Sequence, residues 1–454
     1  MQDFARLAIE VPEVLLPAPW VDVSRWAVIA CDQHTSEPEF WRQVEEFVGD
    51  SPSTLRLILP EAFLAGDAAD GAEDPVPGIH GRMREYLDSG VFGPAAPRFI
   101  YLERSTPRVP RRRGLVVALD LEQYDFHEGA RSLVRASEST VQERLPARIA
   151  VRRGAPLELP HAIVLVDDPG ATVIEPVGDR FSARPPLYDA DLMVGAGRVR
   201  GWAVEDEAAL ASIHAALTEL ARPEIYQQRY GVADSDVLLF AVGDGNHALA
   251  AARSLWQELR AELGEDEAAT HPARYALVEL VNVHDPGVVF EPIHRVVFGV
   301  DPGALLEALP DWFDDQGSTC RFERAEDPAL LRTRLGELRR DPALHALGTV
   351  TAGDLGVMAI TGPKSSLAVE SLQGFLDAYT ASLRDARVDY IHGESAVRSL
   401  CAEPDRVGFL LPPMRKDELF GTIVREGALP PKTFSLGEAD EKRFYLEARR
   451  ITSD

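Results

Sequence analysis

Cysteine is scarce in this chain: Cys31, Cys320 and Cys401 are far apart, and none forms a C-x-x-C pair. That excludes a disulfide framework and a thiolate zinc site, and it fits a reducing compartment. No apolar run approaches the roughly 20 residues needed to cross a bilayer. The first six residues lack the basic and apolar regions of a signal peptide. A cytoplasmic protein without a membrane partner is therefore expected. Positive charge is also in short supply. The formal net charge of -26 repels a polyphosphate backbone, which argues against nucleic acid as a partner. The basic run at residues 108–113 has no interleaved aromatics and reads as a solvated loop. Internal repeats and low-complexity tracts are lacking too.

What is there suits a folded globular protein. Hydrophobic residues make up 45% and charged residues 26%, ordinary values for a packed core. A length of 454 residues exceeds what one core usually serves, so two domains or one elaborated domain are expected. Short apolar runs at 26–31, 115–121, 162–166, 237–242, 275–283 and 408–411 predict buried strands. Ser36 and Glu39 form a capping-box pattern that opens a helix through Phe47, closed by Gly49. A second helix is predicted over 207–221, and Asp301-Pro302 and Asp327-Pro328 open two more. Residues 349–361 predict a hairpin turning at Ala352-Gly353-Asp354. Residues 66–78 read as a surface loop. This mixture predicts a mixed-sheet α/β (α+β) fold, with one domain at 1–298 and a C-terminal α/β domain at 299–454 able to complete a site.

The most informative segment is Gly243-Asp244-Gly245-Asn246-His247. A buried-strand pattern precedes it. A helix follows, with Leu249, Ala252, Trp256, Leu259 and Leu263 on one face and Gly264 available as its cap. Two glycines permit a tight turn and close approach of a ligand to the main chain. The first helical turn leaves outward N–H groups and a partial positive charge, a ready anion site. His247 can donate to a phosphate oxygen. Asp244 can hold magnesium or accept a proton. The plainer alternative is a structural cap, and spacing alone weighs the two equally. The motif is neither a P-loop nor the G-x-G-x-x-G of dinucleotide folds.

Other residues carry chemistry of the same kind. Arg135 could grip phosphate and Glu138 could act as general base or magnesium ligand, or the two could form a surface ion pair. Asp32 follows a strand pattern, where catalytic carboxylates often sit. Cys31 with His34 as its base would make a nucleophile, but an inert packed cysteine is the better reading. Alternation sends His294 and Arg295 to opposite faces, to reach a phosphate or to serve the fold. Lys432 could neutralise phosphate or be merely solvated.

The turn and its helix resemble the Asp-Gly-His/Asn-His turn of the bacterial and archaeal family named domain of unknown function 1015. The resemblance covers nearly the whole chain. It includes Trp26 to Gln33, Pro52-Ser53-Thr54-Leu55, Leu133 to Thr140, Ala155 to His161, Phe290 to Arg295, Asp389 to Gly393 and Leu429 to Ser435. The turn in turn looks like that of the ParB/sulfiredoxin superfamily, whose members include CTP-hydrolysing partition proteins and free-serine kinases. The resemblance implies a ParB/sulfiredoxin-like core with added strands and helices. It implies a nucleotide site on Gly243, Asp244, Gly245, Asn246 and His247, with Arg135, His294, Arg295 and Lys432 as further phosphate ligands. Glu138, Asp32 and His247 are then the catalytic candidates, and Asp244 the ligand for Mg2+. ATP, ADP or pyrophosphate would be the donor, and a small hydroxyl metabolite such as free L-serine the acceptor. Asn246 stands where many relatives carry a histidine, so acid–base chemistry at that position is excluded. A non-catalytic nucleotide-binding regulator is the alternative, and assembly into an oligomer stays open.

Overall fold

Valine, leucine and alanine make up most of the apolar runs, and each run contains strand residues. The computed structural model describes residues 2–35, 37–63, 74–233 and 236–453. These residues divide into two compact units. One comprises Met1–Val289, Ile423–Ala428 and Leu436–Asp454, and the other Phe290–Thr422 and Leu429–Ser435. Among the described residues no helix is long and apolar enough to cross a membrane.

The first unit is built on a ten-stranded sheet. Its strands, in chain order, are β1 (Ile9–Glu10), β2 (Phe99–Ser105), β3 (Arg112–Asp120), β4 (Tyr124–Asp125), β5 (Val134–Ala136), β6 (Ile163–Val166), β7 (Tyr188–Asp191), β8 (Arg198–Val204), β9 (Phe240–Asp244) and β10 (Tyr275–Asn282). They lie in the order β7-β8-β2-β3-β10-β6-β9-β5-β4, with β1 paired to β3. The β10–β6, β9–β5 and β5–β4 pairs are parallel, whereas β6–β9 and β10–β3 are antiparallel. This is the expected mixed-sheet α/β architecture. β6 is four buried residues, Ile163 to Val166, which suits a central strand covered on both faces.

Helices cover the sheet. In the first unit they include α1 (Pro38–Val48), α2 (Val76–Asp88), α3 (Leu145–Arg152), α4 (Glu207–Leu220) and α5 (Asn246–Glu262). α1 buries Trp41, Val44 and Val48, spaced by three and four, and ends on Gly49 at φ 55°. Its cap position is Glu37, without a side-chain capping bond. Ser36, expected to cap it, lies outside the described residues. Most of the expected 66–78 loop lies outside them as well, and Gly78 at its end belongs to α2. α4 is capped by the Asp206 carboxylate, which accepts from Ala209 N–H.

Four sequence expectations need correcting. The strand expected at 26–31 is only Val28–Ile29, because Trp26 ends a short helix, Val23–Trp26. The basic run at 108–113 is not all solvated loop: Arg112 and Arg113 open β3, and Arg112 is buried against Glu279. The strand expected at 237–242 begins only at Phe240, because Leu239 and Phe240 both donate their N–H to Leu133 O, a turn-like pairing ahead of the ladder. Gly264 does not close α5: the helix ends at Glu262, and Gly264 instead opens the short helix Glu265–Thr270.

The second unit carries β11 (Phe290–Phe298), β12 (Thr319–Ala325), β13 (Leu344–Val350), β14 (Leu355–Thr361), β15 (Arg387–His392) and β16 (Arg406–Leu410), in the order β12-β14-β13-β16-β11-β15. The expected hairpin is β13–β14, with Val350 opposite Leu355. α6 (Pro302–Asp315) and α7 (Pro328–Leu338) open as expected, each capped by the preceding aspartate, Asp301 or Asp327.

Candidate functional site

β9 runs directly into α5 through a single residue, Gly245, at φ 80° and ψ 24°. A side chain there would face two penalties. The left-handed backbone disfavours any Cβ, and that atom would lie 2.9 Å from both Ala162 Cα and His161 Cδ2. Glycine at the cap also means that no side chain caps α5, and its first turn holds no acidic residue. The Leu249 N–H closes the first helical bond, to Gly245 O. The amides of Asn246, His247 and Ala248 therefore begin a 17-residue helix without a side-chain cap, at a half-exposed position. Such donors at a positive dipole end favour an anion.

The segment after β5 wraps this turn. β5 pairs in parallel with β9, Ala136 opposite Val242, and Ser137 and Glu138 directly follow the end of β5. The Val141 N–H donates to His247 Nε2 at 3.2 Å. Nε2 is then the acceptor, so a neutral ring carries its proton on Nδ1. Three buried polar atoms around the turn, Ser137 Oγ, Thr140 Oγ1 and Asn246 Oδ1, have no hydrogen-bond partner among the described residues. Such atoms are costly unless something else satisfies them.

A hydrogen-bond chain backs the turn. His161 Nε2 meets Asp32 Oδ2 at 3.3 Å, and its Nδ1 meets the Tyr445 hydroxyl at 2.6 Å. Tyr445 reaches Cys31 Sγ at 3.3 Å and accepts from the Cys31 N–H. Burial works against the Asp32 charge, but His161, the Gln33 amide and Lys442 outweigh it and hold the carboxyl well below its usual range. Burial likewise opposes an imidazolium at His161, yet the Tyr445 oxygen and the Asp32 carboxylate raise it well above its ordinary value. Lys442 Nζ lies 3.3 Å from Asp244 Oδ2. A cavity of about 160 Å³ opens alongside. Cys31, His161 and Tyr445 line its polar end, Met83 and Leu159 its apolar side, and Ala248 of α5 one wall. The Glu61–Arg148 ion pair also faces it, and burial, opposed by Arg148, raises the Glu61 carboxyl.

The Asp32–His161 pair should leave a signature in pH. The depressed Asp32 contributes stability above its ordinary value of 3.8, lost as pH falls through the lower folded value. The raised His161 contributes fully below its ordinary 6.5, lost as pH rises through the higher folded value. The stability gap between wild type and Asp32→Asn, from urea melts across pH, should therefore peak between these limits and shrink on both sides. A gap that widens from pH 6 to pH 9 would contradict this.

Other expected site residues are placed as follows. Arg135 is buried, with Nε donating to Ser132 O and Nη2 to Asp236 O. Cys31 does not face His34 as a base: His34 pairs with Glu37 and stacks on Phe40 at 3.7 Å. His294, Arg295 and Lys432 belong to the second unit. His294 Nδ1 accepts from the Leu411 N–H. Burial, then Arg339 and Arg295, push His294 down to about 4, so it is neutral near pH 7. Arg295 is fully buried, donates to Ile293 O, the Gln373 amide oxygen and Lys432 O, and lies 4.5 Å from the Tyr390 ring centroid. Among the described residues no group of three His, Cys, Asp or Glu side chains could hold a metal ion.

Sequence reasoning gave no role to His161, Lys442, Tyr445 or Ser137. His161 and Ser137 do lie in segments shared with the resembled family. Lys442 and Tyr445 carry no local signal, because they reach the site from the far end of the chain.

The chain was compared with known proteins. The family model described as "Protein of unknown function (DUF1015)" matches residues 15–379. No curated protein matches. Among solved structures, a mutant free serine kinase in complex with AMP aligns with TM-score 0.37 and 14% identity, covering 75% of this chain and 91% of that one. A conserved hypothetical protein from Pyrococcus furiosus aligns with TM-score 0.35 and 11% identity, covering 75% and 95%. SbnI from Staphylococcus aureus, truncated at its C-terminus, gives TM-score 0.34 and 9% identity, covering 74% and 83%. These are distant likenesses.

Proposed function

The chain belongs to the family described as protein of unknown function (DUF1015), and we propose that it is a nucleotide-binding phosphotransferase acting on a small hydroxyl metabolite such as free L-serine. The carrying observation is the uncapped start of α5 beyond Gly245, surrounded by the unpartnered Ser137 Oγ, Thr140 Oγ1 and Asn246 Oδ1. Phosphate oxygens of ATP, ADP or pyrophosphate would accept from the α5 amides and from the His247 ring. His161, held protonated, supplies positive charge behind the turn. Magnesium, which asks for only one or two protein carboxylates when it arrives with phosphates, would find them in Asp244 and Glu138.

In the transfer itself, the acceptor hydroxyl oxygen forms the new bond to phosphorus as the bridging oxygen leaves with the bond it held. The hydroxyl proton passes to a carboxylate. A base should have an affinity for protons near the working pH. Asp32 is held too strongly as the anion for that, so Glu138 takes the role and Asp32 positions His161. The charge is met by main-chain dipoles and cations already in place, the usual source of rate in phosphoryl transfer.

Incubation with labelled ATP, ADP or pyrophosphate, Mg2+ and L-serine should yield phosphoserine. Glu138→Gln should keep nucleotide affinity within about threefold while turnover falls on the order of 10²-fold or more. Equal losses of binding and turnover would remove Glu138 from the base role. The second reading, a non-catalytic nucleotide-binding regulator, is favoured by one observation: Asp244 already pairs with Lys442. Nucleotide binding without turnover across a panel of hydroxyl metabolites would select it.

A further inference from the structure

The cavity beside the turn has an apolar lining that free L-serine would leave unused. α3 contributes Ala147 and Val151, four residues apart on one helical face, and α5 contributes Ala248 and Ala251, three apart. Leu57, Met83, Leu157 and Leu159 close the apolar side. Alanine at both α5 positions leaves open the space that a longer side chain would fill. The charged side chains of the lining already have partners of opposite sign. Glu61 pairs with Arg148, Glu158 with Arg152 and Arg449, and His161 with Asp32. An amino acid's ammonium and carboxylate would have to compete with these ion pairs. A hydrocarbon body would only displace water from aliphatic walls, which is favourable.

We propose that this cavity binds the apolar body of an uncharged alcohol and, resting on the phosphotransferase reading above, that this alcohol is the preferred phosphoryl acceptor. Volume sets the size. At about 160 Å³ the space matches apolar cavities of about 150 Å³ that hold benzene. The body is therefore one aromatic ring or a branched chain of about six carbons. Position sets the orientation. Ala248, whose amide belongs to the first turn of α5, and His161, which backs Gly245, both line the cavity. A hydroxyl on a short arm beyond the ring reaches this polar end, beside the turn. Its oxygen forms the bond to phosphorus, the donor's bridging oxygen leaves with the electron pair of the broken bond, and the proton passes to Glu138. L-Serine has no body to fill the cavity and is the weaker acceptor.

Benzyl alcohol is the probe. Isothermal titration of the full chain should give a Kd of about 1 mM or tighter, and soaked crystals should show the ring between α3 and α5. Ala251→Leu, checked for the wild-type circular dichroism, should weaken binding at least about tenfold, because its longer side chain takes the space. If that variant fails to fold, the soaked wild-type crystal decides. With labelled ATP and Mg2+, kcat/KM for benzyl alcohol should exceed that for L-serine at least about 100-fold, each buried methylene being worth about fourfold. No binding, or a ring lodged elsewhere, would overturn the assignment even if phosphoserine forms. L-Serine as the equal or better acceptor would overturn the acceptor's identity. Binding in the cavity with no transfer to either alcohol would instead refute the phosphotransferase reading and leave the binding site standing.

Discussion

Gly245→Ala should unfold the protein more readily and weaken nucleotide binding at least about 100-fold. Two independent costs add. A residue with a Cβ in the left-handed region costs about 1–2 kcal/mol. Here the φ is 80°. The new methyl would also meet Ala162 Cα and His161 Cδ2 at 2.9 Å, a backbone atom and a ring pinned by Asp32 and Tyr445, so neither yields easily. Overpacking of this kind costs about 1–3 kcal/mol. Together the loss is about 2–5 kcal/mol, read from urea unfolding, and displacement of the α5 amides adds the loss of affinity. A matched control is Gly336→Ala in α7, where nothing lies within 4 Å and the backbone is helical. That exchange should stabilise by about 0.5–1 kcal/mol. If both variants behave alike, the turn is not under the constraint described.

Glu279→Ala should destabilise the protein by about 3–5 kcal/mol. The carboxylate is fully buried and accepts from Arg112 at 3.1 Å and Arg443 at 2.9 Å. Removing it strands two guanidinium groups, each with a large desolvation cost and a lost partner. The position is also sterically matched: a Cβ at Gly114 would come within 2.6 Å of Glu279 Oε1, so the opposing strand leaves room for this side chain. Burial alone would raise the Glu279 carboxyl, but Arg112 and Arg443 win and lower it. Its contribution is therefore complete above its ordinary value of 4.5 and lost as pH falls through the lower folded value. The gap between wild type and Glu279→Gln, from denaturant melts, should be wide at pH 7 and narrow in acid. A gap under about 1 kcal/mol at pH 7 would mean the network contributes little.

The sequence revealed the turn because its signals are local. A strand pattern, two glycines and a helical stripe fall within some thirty residues, and each has one physical reading. Caps at Asp301 and Asp327 were legible for the same reason. The trimmed strands were not: whether Val237 to Leu239 join a ladder depends on Leu133, far away in the chain. The chain that backs the turn was hidden more deeply. Phe444–Tyr445 pairs with Val28–Ile29, more than 400 residues away, and it is this pairing that carries Tyr445 to Cys31 and His161. Asp32 could be guessed from its place after a strand. Its partner, His161, could not, because periodicity says nothing about which strand ends meet in space. Nor did alternation show that Arg295 would be wholly buried among carbonyls and an aromatic ring.

The central claim is that main-chain amides at the start of α5 bind phosphate. A crystal structure of the chain with ADP and Mg2+ tests it most directly. A phosphate oxygen about 3 Å from the amide nitrogen of Asn246 or His247 is the predicted result. Phosphates lodged elsewhere, with those amides facing only water, would contradict it.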